Sequence, residues 1–325
     1  MNVTRTCLAS RLSSYSILEF RECARKDSFW RSPSKHLIII LGENRTFDHV
    51  FDVYKPRQGE TISNLLSKGI VKEDGTPGPN FSGARQFTTL IESSYLISAR
   101  NKTPYDVLPP PQLLGTPNVA SPIQPPFLQA VLDATSVRSI GHALIEKGIS
   151  FRYYGGGFNF ALCGGPLSVL YCPICNPFQF LSSIMTNPAS RAEHLKDTQD
   201  LFADIEARRL PKPELFEHTA IFVTFDEGGG CYDSGFIQPL DFFGDGPRIP
   251  FIVVSPHAKG GHIVHAYADH ASIVKFIEHN WNLKPLTARS RDNLPNPRTL
   301  KDDPYVPVNM PAIDDLFSMF KFGRN

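Results

Sequence analysis

The feature that most limits how this chain can fold is a set of short apolar runs without alternation. HLIIIL (His36 to Leu41), AIFVTF (Ala220 to Phe225) and PFIVVS (Pro250 to Ser255) are rich in β-branched and aromatic residues. Runs of this length suit strands covered on both faces, the usual condition of parallel sheets. ISFRYY, from Ile149 to Tyr154, is a weaker fourth candidate. Between the runs lie helical spacings. Glu60 to Lys68 carries Ile62, Leu65 and Leu66 on one side, and Val137 to Lys147 carries Ile140, Leu144 and Ile145. Asp269 to Trp281 carries Ile273, Phe276, Ile277 and Trp281, with Asp269 or Ser272 placed to cap its start. Thr135 or Ser136 is the expected cap of the second helix. Strands alternating with helices predict an α/β layered fold with a mainly parallel central sheet.

The chain has 325 residues, enough for one large domain or two modest ones. A net charge of +1 gives no reason to expect a nucleic-acid or anionic-membrane partner. No stretch reaches the 18 apolar residues that a membrane-spanning helix would need. Met1 to Lys35 holds Arg5, Arg11, Arg21, Arg25 and Arg31 but no apolar core of a secretory signal, so 1–35 is expected to be an unstructured leader. Residues 36–325 then form a single domain. Within it, 101–127 is a proline-rich loop whose Pro104, Pro109, Pro110, Pro111, Pro117, Pro122, Pro125 and Pro126 exclude helix. Cys172-Pro-Ile-Cys175 has no second pair at zinc-finger spacing; a local bridge or a partnership with Cys163 is expected, and reduced thiols are the alternative.

Ligands of open parallel sheets gather beyond the carboxyl ends of the strands. The first run is followed at once by Gly42-Glu43-Asn44-Arg45, the second by Asp226-Glu227-Gly228-Gly229-Gly230. Neighbouring parallel strands would bring three carboxylates and an amide to one rim. Carboxylates that close repel unless a cation or protons intervene, and a hard divalent ion with oxygen ligands meets that need. The competing reading is a pair of solvated acidic turns.

The pieces HLIIILGENRTFDHVF (from His36), FVTFDEGGGCYDSGFIQPLDFFGDGPRIPFIVVSPHAKGG (from Phe222) and YADHASIVKFIEHNWNL (from Tyr267) resemble the bacterial and fungal phosphoesterase family, which includes phosphate-type phospholipases C and acid phosphatases. The likeness is greatest to the acid-phosphatase branch and runs on through LTARSRDNLPNP, Leu286 to Pro297. It implies an alkaline-phosphatase-like three-layer α/β/α fold, here truncated, and metal-dependent hydrolysis of a small phosphate ester. By the same resemblance Glu43, Asn44, Asp226 and Glu227 are metal ligands, the ion being calcium, magnesium or manganese rather than zinc. Asp48, His49, Asp269 and His270 match recurring Asp-His pairs and carry catalytic expectations, His49 toward phosphate or leaving group. Capping is the other reading of Asp269, packing that of His270, and a structural part that of Arg248. If Asn44 binds metal, its Asn-Arg-Thr sequon is expected to stay unglycosylated.

Two family elements find no counterpart. The segment bearing the hydroxyl nucleophile should fall between Pro126 and His142, and a Gly-His-Pro stretch between Leu210 and His218. The alternative function is therefore a catalytically impaired remnant that keeps metal or phosphate binding. Family members are commonly exported, but no signal peptide is visible here.

Overall fold

All four apolar runs form strands in the computed structural model, which describes residues 16–22, 32–85, 138–162, 171, 175–185, 187–206, 216–240 and 245–322. In chain order these are β1 (Ser16–Glu22), β2 (His36–Gly42), β3 (Ile149–Gly155), β4 (Leu195–Asp197), β5 (Thr219–Phe225) and β6 (Phe251–Val254). The helices are α1 (Phe47–Phe51), α2 (Ile140–Lys147), α3 (Phe158–Leu162), α4 (Ser182–Met185), α5 (Pro188–His194), α6 (Thr198–Glu206) and α7 (His270–Asn280). The proline-rich loop at 101–127, Thr135 and Ser136 lie outside the described residues.

Two compact units can be distinguished in the chain. The first is Met1–Lys26, Lys35–Leu41 and Lys102–Thr219; the second is Asp27–Ser34, Gly42–Asn101 and Ala220–Asn325.

In the first unit the strands lie in the order β4-β3-β1-β2. β1 runs antiparallel to both neighbours, with Ile17 opposite Ile40 on one side and Tyr154 on the other, while β3 and β4 are parallel. This corrects the leader expectation at Ser16–Glu22. The stretch is too short to announce itself by hydrophobicity, but pairing on both edges satisfies its backbone groups. Ser139 caps α2: its hydroxyl accepts from the His142 amide, and the imidazole accepts from the Ser139 amide in return. The helix ends at Gly148, whose φ of 73° is the left-handed conformation a glycine adopts without strain. Phe151 is buried, stacked on His194 with ring centres 4.2 Å apart, and His194 Nδ1 donates to the Phe151 carbonyl at 2.9 Å. Cys175 is disulfide-bonded; Cys163 and Cys172, the expected partners, lie outside the described residues.

In the second unit β5 and β6 are antiparallel, with Phe222 opposite Val253. α7 covers them. Phe222 meets Phe276 edge-on at 5.0 Å, and Phe276 stacks on Phe320 at 5.5 Å. The buried Lys275 does not disturb this core, because Nζ donates to the carbonyls of Leu294 and Ile313 and to Asn296 Oδ1, using all three of its protons. Asp269 caps the helix in a reciprocal pair with Ser272.

Two further expectations are corrected. The sheet is mixed rather than mainly parallel: β1 pairs antiparallel on both sides, and β6 joins β5 antiparallel. An unbroken apolar run does not encode the direction of pairing or burial on both faces: in β6, Ile252 and Val254 are exposed. Glu60 to Lys68 forms turns instead of a helix. There the buried Asn64 takes the Ser67 amide on its Oδ1 and donates to the carbonyls of Phe51 and Tyr54, so side-chain bonds replace the helical ladder.

Candidate active site

The two acidic strand ends meet within the second unit. The Asp226 amide donates to the Gly42 carbonyl at 3.0 Å, and the Arg45 amide to the Glu227 carbonyl at 3.0 Å. Asp226 Oδ1 accepts from the amides of Asn44 (3.0 Å) and Glu227 (2.7 Å), which fixes this carboxylate and leaves Oδ2 free of both. Asn44 turns through φ 61°, a conformation asparagine tolerates better than most residues, and its Nδ2 donates to Glu43 Oε2 at 3.2 Å. Glu43, Asn44, Asp226 and Glu227 are thus brought together as a rim. Burial, then the charge of Asp226, then that of Glu227, push the Glu43 carboxyl above its ordinary range.

The glycines make this approach possible. A Cβ on Gly229 would lie 2.4 Å from the Asn44 Cβ, and one on Gly228 would lie 2.7 Å from the Thr46 methyl. Gly229 and Gly230 also have φ of 59° and 80°.

Beside the rim, Asp48 and His49 diverge. Asp48 is 1% exposed. Its Oδ2 accepts from the Ser234 amide and hydroxyl at 2.7 and 2.6 Å, while Oδ1 faces Arg248 Nη2 at 3.4 Å. Arg248 is clamped by Asp233, spans to the Ser63 carbonyl at 2.9 Å, and lies over the Phe47 ring. Burial, then Asp233, raise the Asp48 carboxyl, an effect that Ser234 and Arg248 oppose. Asp48 and Arg248 therefore hold the ground under the rim. His49 is exposed, with Nδ1 3.1 Å from the Cys231 sulfur.

The second Asp-His pair divides similarly. Asp269 accepts from the Ser272 amide and pairs with Arg291 Nη1 at 3.1 Å. His270 is exposed and its Nε2 donates to the Phe225 carbonyl at 2.8 Å, directly before Asp226. Asp233 and Lys68 escaped the sequence reading; the only signal was an acid soon after the glycine run and a lysine in a segment mistaken for helix.

A further Ser-His pair lies in the first unit, His142 Nε2 to Ser183 Oγ at 2.8 Å. Because His142 Nδ1 accepts from the Ser139 amide, Nε2 carries the proton and donates to Ser183. The imidazole cannot then act as base toward that hydroxyl. Among the described residues, no group of three or more His, Cys, Asp or Glu side chains closes around one point as a preformed metal centre. No helix among them is long and apolar enough to cross a membrane.

Residues 199–284, which carry Asp226, Glu227, Arg248, Asp269 and His270, match the phosphoesterase family. Over about that stretch the chain is similar to bacterial phospholipases C. It is 32% identical over 96 residues to a non-hemolytic phospholipase C of Burkholderia pseudomallei, covering 22% of this chain and 14% of that protein. It is 29% identical over 102 residues to a non-hemolytic phospholipase C of Pseudomonas aeruginosa, covering 22% and 15%. It is 30% identical over 92 residues to phospholipase C B of Mycobacterium tuberculosis, covering 21% and 18%. The alignments thus span less than a fifth of the length of these phosphoesterase relatives. Glu43 and Asn44 lie outside the matched 199–284, so their pairing with Asp226 rests on geometry.

Proposed function

We propose that the chain is a metal-dependent phosphomonoester hydrolase of the acid-phosphatase type, on an alkaline-phosphatase-like three-layer frame. The observation that carries this reading is the Asn44–Asp226 contact, which joins the two ends of the rim. The donor set fits an oxygen-liganded divalent ion: three carboxylates and an amide oxygen, with Glu43 already raised by its acidic neighbours. Glu43 and Glu227 are exposed, while Asp226 is pinned by the amides of Asn44 and Glu227. When bound, such an ion would polarise a phosphoryl oxygen and lower the pKa of a coordinated hydroxyl or water.

The chain's own residues supply the rest. His49, after the first strand end, and His270, bonded to the Phe225 carbonyl just before Asp226, serve to hand a proton to the departing alcohol. Asp269 acts through the helix that it caps, by positioning His270. Asp48 fixes α1 and with it His49. The substrate is a small phosphate ester.

A second reading is a remnant that binds cation or phosphate without turnover. It is favoured by the segment from Pro126 to His142, which carries no motif of the family's hydroxyl nucleophile. A chromogenic phosphomonoester assay, with and without chelator, separates the two. Chelator-sensitive turnover lost in Glu43→Ala and Asp226→Ala supports the enzyme. Metal-dependent thermal stabilisation without turnover supports the remnant.

A further inference from the structure

The second unit contains a cavity of about 550 Å³, lined among others by Lys68, Arg85, Ser82, Ser234 and Tyr232, with Ile70 and Pro79 as its apolar part. Two cations and three hydroxyls line it, and among the described lining residues there is no carboxylate. That composition is unusual beside a rim of three acids, and it selects for the opposite charge.

The charges can be followed individually. Lys68 Nζ donates to the Ser234 carbonyl and hydroxyl, which leaves one of its three protons for a ligand. Ser234 Oγ in turn donates to Asp48. Behind the wall, Arg248 pairs with both Asp48 and Asp233, and Lys68 reaches Asp48 only through the Ser234 hydroxyl. Arg85 is extra. Among the described residues no carboxylate pairs with its guanidinium, and its backbone is held in place by the Tyr232 hydroxyl, which donates to the Arg85 carbonyl at 2.9 Å. With that proton spent on Arg85, Tyr232 offers the cavity chiefly the side of its ring.

We propose that this cavity binds a small organic oxyanion, its charged end between Arg85 and Lys68 and its apolar body against Ile70, Pro79 and the Tyr232 ring. Phosphate esters, sulfate esters and carboxylates share the required chemistry: an oxyanion that accepts from a guanidinium and an ammonium, joined to a compact apolar group. None of the four rim residues lines this site, and it needs no metal. Its occupancy therefore stands or falls independently of phosphoester hydrolysis.

Calorimetric titration of the full chain, stripped of metal and freed of chelator, tests this with phenyl phosphate, phenyl sulfate, benzoate, inorganic phosphate and phenol. Saturable binding of one or more of the three aryl anions is expected, with inorganic phosphate and phenol both weaker; the ranking of the three identifies the anion. Arg85→Ala, a change at an exposed position, is expected to weaken the best ligand about tenfold or more, in line with loss of one charge-assisted hydrogen bond. Lys68→Met should weaken it as well, and Glu43→Gln should leave it unchanged. Absence of saturable binding, affinity indifferent to Arg85→Ala, or loss on Glu43→Gln would each overturn the proposal. Inorganic phosphate binding as tightly as phenyl phosphate would overturn the apolar half of it.

Discussion

Arg248 grips Asp233 with two parallel hydrogen bonds, Nε to Oδ2 at 2.8 Å and Nη2 to Oδ1 at 3.1 Å. Asp233 has no exposed surface, and it also accepts from the amides of Asp48 and Gly235. The clamp thus ties the segment after the glycine run to the helix after the first acidic strand end. Removing one partner strands a buried charge. Arg248→Met is expected to destabilise the protein by about 3–5 kcal/mol, as measured by denaturant unfolding. Arg248→Lys should recover little, because an ammonium cannot reproduce the two-pronged grip.

The glycine run supplies a sharper comparison. Gly229 and Gly230 both have positive φ, but a Cβ on Gly229 meets Asn44 whereas one on Gly230 meets nothing within 4 Å. Gly230→Ala should cost roughly 1 kcal/mol for the backbone conformation alone. Gly229→Ala bears that cost and also displaces Asn44 from Asp226. Thermal unfolding and divalent-ion binding on the two variants should differ accordingly, with ion binding weakened in Gly229→Ala and kept in Gly230→Ala. Equal loss in both would mean that Asn44 is not held where the rim needs it.

A pH signature comes from Asp245. Its Oδ2 accepts from the Tyr267 hydroxyl at 2.8 Å, and burial, followed by the charge of Asp269, raises its carboxyl from 3.8 to about 6. Tyr267 and Arg291 pull in the other direction without prevailing. Since the folded state binds this proton more tightly than the unfolded chain, the stability it contributes is complete below pH 3.8 and is lost as pH rises through about 6. Asp245→Asn removes the effect. At pH 7 the variant should be the more stable by up to about 3 kcal/mol, and the advantage should vanish near pH 4. Melting temperatures of both proteins across that range check it.

The strands were legible because their apolar runs are unbroken, and α7 because Asp269, Ser272 and four apolar residues fall at helical spacing. Nothing in a one-dimensional pattern gave the direction of pairing. β1 was hidden because its brief apolar cluster derives support from the strands on both sides. Glu60 to Lys68 misled because Leu65 and Leu66 imitate a helix face, while the deciding bonds of Asn64 reach back to Phe51 and Tyr54. At the candidate site the acids were legible from their position after buried strands. Capping by Asp269 was open to the sequence, but the burial of Asp48 was not; both aspartates hold structure, and both histidines are exposed. The hydroxyl positions Thr135 and Ser136 lie outside the described residues, and the cap falls at Ser139.

The direct test of the account is calorimetric titration of calcium, magnesium and manganese into the metal-free protein and into Asp226→Asn. The conservative variant keeps an oxygen for the amides of Asn44 and Glu227, so it should fold with little change while removing the pinned negative charge. One divalent ion per wild-type chain and at least a tenfold weaker affinity in the variant are expected, the scale of one lost charge-assisted contact. Equal affinity in the two proteins, or no ion bound by the folded wild type, would contradict this.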